Sequence, residues 1–439
     1  MQIQQNPDLI IQFVLLIAIT VFVSAKWKAR FLSVFLVVSI FFNKLIIPLD
    51  DLNLRFDFLV CTIYVLTHFR RRFIRNLPPP IWLAFVLVAW FAIISMVNSS
   101  SPLFSLQKLS ILALYALTSM VFIRNIADQG ELLDFVFGPF LGAANVVLTV
   151  SLLGFALYPF GVDIGFVRFD GEPWLEGPMA IANVFGSVSA VVVLLNLVPV
   201  LFPSKRMKRH PGYLLSSGVC VFLSYTRAAW ILVVFFGFIV WLVSFLRNRA
   251  QRRRPLLVLA ICSFVGLALY EIGPQIGYGL KQESLVEFEE GSGLGRIVAM
   301  EEGIQDWLRR PIVGNGFQEF EYLTRADRDP GQIQSISLFL QLLQYGGLIA
   351  AGIFLGGMVM VHLRLFKIIE KDTMEDWPAA LTAVLCLDLL IVAYQITSGI
   401  WLPFFWFILF FSTGLVYRMR GRVATPDAMF PSVLPPQVA

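Results

Sequence analysis

The stretch RAAWILVVFFGFIVWLVSFLRNRAQRRR (residues 227–254) decides how the chain is read. A single arginine opens it, a long apolar run follows, and a dense basic run closes it. An apolar run of about 20 residues can carry a helix across a hydrocarbon core of about 30 Å. Basic residues accumulate on the cytoplasmic side of such helices. The basic run therefore marks the cytoplasmic end. Arg227 stands at the opposite end, where that rule supplies no reason for a cation.

The rest of the 439-residue chain repeats the pattern. It is 58% hydrophobic and only 14% charged, against about 25% charged in soluble domains. Strand-like alternation at barrel spacing is lacking, so the spanning elements read as helices. Thirteen spans emerge, over 9–25, 31–48, 56–69, 81–98, 103–123, 132–158, 177–201, 211–225, 228–246, 256–273, 336–362, 378–397 and 400–417. The first is expected to stay in the protein, because "MQIQQNPD" has no basic residue and no small-residue cleavage site follows it. The fold class is an all-α polytopic membrane protein with one large helical loop on the outer side. Cys61, Cys220, Cys262 and Cys386 fall inside apolar runs, and His68, His210 and His362 lie at span ends beside basic residues, so no metal site is expected.

Basic residues alternate between connections as the positive-inside rule requires. "KWKAR" (26–30), "RRRFIR" (70–75), "IRN" (123–125), "SKRMKR" (204–209), "RNRAQRRR" (247–254), the 363–377 connection and "RMRGR" (418–422) fall on one side and hold 23 of the 34 Lys and Arg residues. That side is read as cytoplasmic, with the N-terminus outside and the C-terminus inside. The net charge of +5 is thus mostly a topology determinant, and nucleic acid is not an expected partner. Eleven cations remain on the outer side: Lys44, Arg55, Lys108, Arg168, Arg227, Lys281, Arg296, Arg309, Arg310, Arg325 and Arg328.

Two outer segments are long, 159–176 and 274–335. In the second, helical periodicity over 295–310 puts Ile297, Met300, Ile304, Trp307 and Leu308 on one stripe, with Glu301, Glu302 and Asp306 elsewhere. Such a helix lies on the membrane surface or caps the bundle. "GNG" (314–316) after Pro311 reads as a turn, since the strand and remainder of a nucleotide fingerprint are missing. Arg168, Arg227 and Arg296 stand out, because a guanidinium offers a planar fork of donors to phosphate oxygens. Snorkelling to headgroups is the alternative for each, and the simpler one for Arg309 and Arg310. Lys44 and Lys108, in the outer parts of spans two and five, either add to a positive field or snorkel. Trp174, Phe317, Phe320 and Tyr322 are candidates for stacking on sugars or for interface anchoring. Asp388, near the middle of span twelve, is either functional or hydrogen-bonded within the bundle.

Three motifs in order carry a family resemblance. "FLSYTRAAWILVV" (222–234), "GRIVAMEEGIQDWLRRPIVGNGF" (295–317) and "LFLQLLQYGGLIA" (338–350) resemble the O-antigen ligase and polymerase superfamily with its Wzy-C type domain. The resemblance is strongest over about 165–355. It implies a glycosyltransferase of GT-C type with 12–13 transmembrane helices, working at the periplasmic face of a bacterial cytoplasmic membrane. A glycan on undecaprenyl diphosphate is the implied donor, a second glycan or another acceptor the implied partner, and no cofactor is implied. The family's two essential arginines correspond to Arg227 and Arg296 as catalytic residues holding the diphosphate. Arg168 matches a third, less consistent position, with Lys44, Lys108, Asp170, Glu172 and Trp174 as weaker substrate contacts.

The domains then read as N-terminal spans over 1–158, a catalytic region over 159–355, C-terminal spans over 356–422 and a disordered Pro-rich tail over 423–439. One departure matters. Ligases of the family usually carry a histidine, proposed as general base, where the large loop re-enters the membrane. Here that position is Ile336, followed by Ser337. An isoleucine accepts no proton. A polymerase of repeat units, with a chain-length regulator as a further partner, fits that departure. A ligase using a carboxylate from Asp170, Glu172, Glu176, Glu319, Glu321 or Asp327 stays open. A transporter or flippase is the third reading, although no internal repeat of the transporter kind is visible.

Overall fold

The computed structural model describes residues 7–42, 44–49, 52–69, 77–98, 102–127, 132–170, 172–179, 182–203, 207, 211–247, 256–257, 260, 267, 271, 292–317, 337–371, 377–395 and 403–423. The helices are α1 (Pro7–Trp27), α2 (Phe31–Phe41), α3 (Phe56–His68), α4 (Pro79–Asn98), α5 (Pro102–Ala127), α6 (Leu132–Phe135), α7 (Leu141–Leu157), α8 (Ala182–Leu201), α9 (Pro211–Leu223), α10 (Arg227–Arg247), α11 (Ser292–Arg309), α12 (Leu338–Lys371), α13 (Trp377–Ala393) and α14 (Pro403–Val423). A π-helical turn over Val136–Phe140, with Pro139 inside it, joins α6 to α7. Among the described residues, seven helices are long and apolar enough to cross a membrane, and five more are apolar but shorter. The protein is a multi-pass, all-α membrane protein. Most of span ten, including Cys262, and the tail beyond Val423 lie outside the described residues.

Helix α8 forms the centre of the bundle. Of its residues 94% are buried, against 28% in α1 and in α10, whose remaining surfaces are apolar and suited to lipid. It packs on α7, α9, α10 and α13. A reciprocal amide pair locks α7 to α8, with Asn196 Nδ2 donating to Asn145 Oδ1 at 2.9 Å and Asn145 Nδ2 to Asn196 Oδ1 at 3.3 Å. Both side chains are buried, so each amide supplies what the other needs in a low-dielectric interior.

Span two is corrected by the structure. Helix α2 stops at Phe41, and the following residues form β1 (Ile46–Leu49), paired antiparallel with β2 (Leu52–Arg55). Pro48 itself lies within β1, and its missing N–H bars it from an α-helix interior. A second hairpin, β3 (Val167–Asp170) with β4 (Glu172–Leu175), lies in the 159–176 segment. His362 is corrected too. It sits inside α12, not at its end, and its Nε2 lies 2.7 Å from Asp388 Oδ1 on α13. Its Nδ1 is 2.8 Å from the Met358 carbonyl, which can only accept, so a further proton must lie between Nε2 and Oδ1. The bundle hydrogen bond expected of Asp388 is this pair.

The main irregularity is in α12. At Gly347 the backbone leaves the helical region, with φ 66° and ψ −166°, a conformation essentially restricted to glycine. The break frees backbone groups that a bilayer cannot satisfy. The segment 311–317 satisfies them: Leu348 N donates to Pro311 O (2.9 Å), Ile349 N to Ile312 O (3.3 Å), Asn315 N to Gln344 O (2.7 Å) and Gly316 N to Tyr345 O (3.0 Å). Helix α4 closes the other side, with Trp90 Nε1 donating to Gly346 O at 2.8 Å and Asn98 Nδ2 to Gly314 O at 3.1 Å. Phe317 is buried between Phe91 and Tyr345, its N–H bonded to Ser95 Oγ and its carbonyl to Ser105 Oγ. "GNG" is thus a turn as expected, and one that plugs a broken helix.

A Cβ on Gly347 would stand 2.2 Å from Ile312 O. Gly347→Ala adds that overlap to backbone strain of about 1–3 kcal/mol. It is expected to lower the thermal unfolding midpoint in detergent by several degrees. Gly352→Ala, whose Cβ would meet nothing within 4 Å, is expected to leave the midpoint unchanged or slightly raised.

Candidate active site

Arg227 is the first residue of α10, and the turn before it is tightly built. Tyr225 holds a left-handed conformation at φ 59°, which costs a non-glycine residue about 1–2 kcal/mol. Thr226 Oγ1 donates to the Ala182 carbonyl at 3.2 Å, with Asn183 Oδ1 at 3.4 Å. Gly186 on α8 makes the approach possible, since a Cβ there would lie 2.5 Å from Ser224 Oγ and 2.7 Å from Thr226 Oγ1. Trp230 Nε1 returns to the Val221 carbonyl at 2.9 Å and stacks on Phe222. "SYTRAAW" is therefore a turn that fixes where Arg227 starts, and Arg227 itself is half-buried.

The β3–β4 hairpin leans on this turn. Its register sets Arg168 opposite Trp174, and the Arg168 guanidinium carbon lies 6.0 Å from the Trp174 ring centre. On its other side Trp174 stacks on Tyr225, centroids 5.6 Å apart and planes 22° apart. A column of guanidinium, indole and phenol thus ends two residues before Arg227.

Glu176 anchors the hairpin's base. Its side chain is 6% exposed, with Lys44 Nζ at 3.3 Å and Arg168 Nη1 at 3.8 Å. Glu176, one of the carboxylates that the sequence left open as a base, is a buried counter-ion for two cations. Lys44 Nζ also donates to Gly165 O at 3.0 Å, and its backbone N to Pro178 O at 3.2 Å. Lys44 sits just past α2 and staples the 159–176 segment to the bundle.

Other predicted residues lie apart from this column. Lys108, on α5, neighbours Arg55 electrostatically. Arg55 makes a two-point bond to Asp57 (3.0 and 2.8 Å), and Tyr115 OH donates to the same buried carboxylate at 2.8 Å. Asp170 and Glu172 face each other at the hairpin tip; their side chains lie outside the described part. Arg296 falls in the first half of α11, its side chain likewise outside the described part. Ile336, Glu319, Phe320, Glu321, Tyr322, Lys281, Arg325, Asp327 and Arg328 are outside the described residues. Ser337 opens α12, with Oγ donating to Gln395 Oε1 at 2.8 Å.

Helix α11 is braced to the plug. Asn315 Nδ2 donates to Asp306 O at 2.9 Å and to Asp306 Oδ2 at 3.3 Å, and Trp307 Nε1 donates to Pro311 O at 3.0 Å. Burial pushes the Asp306 carboxyl above its ordinary value, against the opposing pull of Arg309 and Asn315. The turn, the plug and the broken helix together account for all three sequence motifs.

Residues 212–355 match the family model described as O-antigen ligase. Those residues are thus similar to the domain of the O-antigen ligase/polymerase superfamily. The match supports glycosyltransferase-type activity in a broad sense. No curated protein matches the sequence. The matched region runs from α9 through α10 and α11 into α12, and so contains Arg227, Arg296 and the plug. Lys44, Lys108, Arg168, Trp174 and Glu176 lie before it. Sequence reasoning missed the Tyr225 stack and the α4 contacts of Trp90, Ser95 and Asn98. The paired glycines of "YGG" and "GNG" were the one available signal for the plug.

Glu176→Gln leaves Lys44 and Arg168 without their shared anion. Breaking a buried pair costs about 3–5 kcal/mol, but Lys44 and Arg168 are 34% and 59% exposed, so about 1–2 kcal/mol is expected. Limited proteolysis of the 159–176 segment in membranes should accelerate roughly tenfold, while Glu172→Gln should leave it near the parent rate.

Proposed function

We propose that the protein is an inverting glycosyltransferase that polymerises glycan repeat units carried on undecaprenyl diphosphate at the periplasmic face of a bacterial cytoplasmic membrane. The observation that carries this reading is the placement of Arg227. It opens α10 on a rigid turn inside the matched domain, beside the Arg168–Trp174–Tyr225 column. An acceptor hydroxyl attacks the anomeric carbon, the bond to the diphosphate oxygen breaks, and undecaprenyl diphosphate leaves. Negative charge grows on that leaving group, and guanidinium forks from Arg227 and Arg296 neutralise it. Trp174 and Arg168 offer a flat aromatic and cationic edge for the glycan next to that position, with Lys44 adding positive charge.

Polymerase is favoured over ligase by the proton's fate. Ile336 stands where ligases carry the histidine, and Ser337 is engaged with Gln395. Glu176 is engaged as the counter-ion of Lys44 and Arg168. Glycosyl transfer passes through an oxocarbenium-like transition state. The hydroxyl proton becomes acidic late, and water or the departing diphosphate takes it.

Complementation of strains lacking either the polymerase or the ligase separates the two readings. A restored ladder of chain lengths supports polymerisation; transfer of preformed chains with no ladder restored overturns it in favour of a ligase. Arg227→Ala and Arg296→Ala are each expected to reduce long chains by about 10²-fold or more at unchanged protein levels. Arg227→Lys should recover only a minor part, since an ammonium lacks the fork. Near-normal polymer from either alanine variant would sink the diphosphate role.

Orientation has its own test. Alkaline phosphatase fused within 159–176 should be active, and fused after Arg254 inactive. The reverse pattern would move the site to the cytoplasm.

A further inference from the structure

Helix α11 has three faces where a helix packed on a protein in water needs two. At about 100° per residue, Gly303, Asp306 and Trp307 share the sector turned to α12 and the plug. A Cβ on Gly303 would meet Leu340 Cδ2 at 2.6 Å. The adjoining sector is apolar yet uncovered, with Met300, Ile304 and Leu308 exposed by 39%, 44% and 52%. Glu301, Glu302 and Gln305 make a third, exposed polar sector. The apolar stripe expected from the sequence is real, but apart from Trp307 its described members point away from the protein.

That uncovered ridge continues onto a surface of known kind. Ile312, 62% exposed, follows α11 and lies beside Leu348, 53% exposed, through the Pro311–Leu348 backbone bond. Leu348 begins the row of exposed leucines and valines that runs down α12, one of the membrane-crossing helices. Arg309 and Arg310, both exposed, close the end of the ridge. An apolar sector flanked by a polar one and tipped with arginines is the pattern of a helix seated at the headgroup–acyl boundary.

We propose that α11 docks sideways into the membrane leaflet at the site end of the bundle. Met300, Ile304 and Leu308 contact acyl chains, Arg309 and Arg310 reach phospholipid phosphates, and the Gly303 face holds the helix to α12. The occupant of the ridge is phospholipid. The backbone of Arg296 belongs to the same helix, two turns before Gly303. On the transferase reading, lipid contact thus sets the depth of the helix that carries that arginine.

The test is fluorescence in vesicles of phosphatidylethanolamine and phosphatidylglycerol, made with and without dibrominated phosphatidylcholine. Ile304→Cys, Leu308→Cys, Glu301→Cys and Gln305→Cys proteins carry an environment-sensitive dye, with the labelled parent as background for the native cysteines. Emission at positions 304 and 308 is expected to fall roughly two-fold with brominated lipid, with little change at 301 and 305. Equal quenching at all four positions, or none at 304 and 308, overturns the proposal. In the second case a protein partner or a second copy covers the ridge. The vesicles contain no glycan donor, so this outcome is independent of any failure of the transfer assay.

Discussion

Inside a bilayer every backbone N–H and C=O must find a partner within the protein, and α12 breaks that rule at Gly347 unless something repairs it. Each unsatisfied group in such surroundings costs several kcal/mol. The repair comes from Pro311–Phe317 on one side and from Trp90 on the other. Once those bonds are made, the start of α12, the end of α11 and the outer parts of α4 and α5 are fixed together. The positions of Arg296's helix and of Ser337 both follow from that one repair.

The cations at the same end obey a second constraint. In an apolar bundle an unpaired charge is costly, whereas one that reaches a polar boundary is not. Arg168 and Lys44 divide Glu176 between them, and Arg55 takes Asp57. Arg168 remains well exposed, over an indole face. The buried carboxylate holds the hairpin's base while leaving a guanidinium able to turn toward a phosphate or sugar.

Much of the fold was legible because transfer free energy acts over long runs. Spans such as 81–98 and 228–246 announce themselves by length and apolarity, and their basic ends by alternation. The departures arise where a few residues outweigh a run. Span two ends early at Phe41, and the hairpin of β1 and β2, with Pro48 inside it, follows. The broken helix was hidden because "LQLLQYGGLIA" has the same composition as an unbroken one, and only Gly347's conformation tells them apart. In the site, Arg227 could be singled out because the positive-inside rule left it unexplained. Tyr225 carried no such signal, since its backbone conformation and its stack on Trp174 depend on a partner fifty-one residues earlier. The pairing of Glu176 was hidden for the same reason: Lys44 is distant in sequence and Arg168 sits on the facing strand.

The α4 contacts bear on how this enzyme can be recombined. The matched domain begins at residue 212, yet Trp90, Ser95 and Asn98, which complete its broken helix, are contributed far upstream. The domain boundary seen in sequence is therefore not a joint in the molecule. A chimera that exchanged residues 212–355 with a relative would inherit a plug cut for a different α4. Such exchanges are workable only where the α4 segment and the plug travel together.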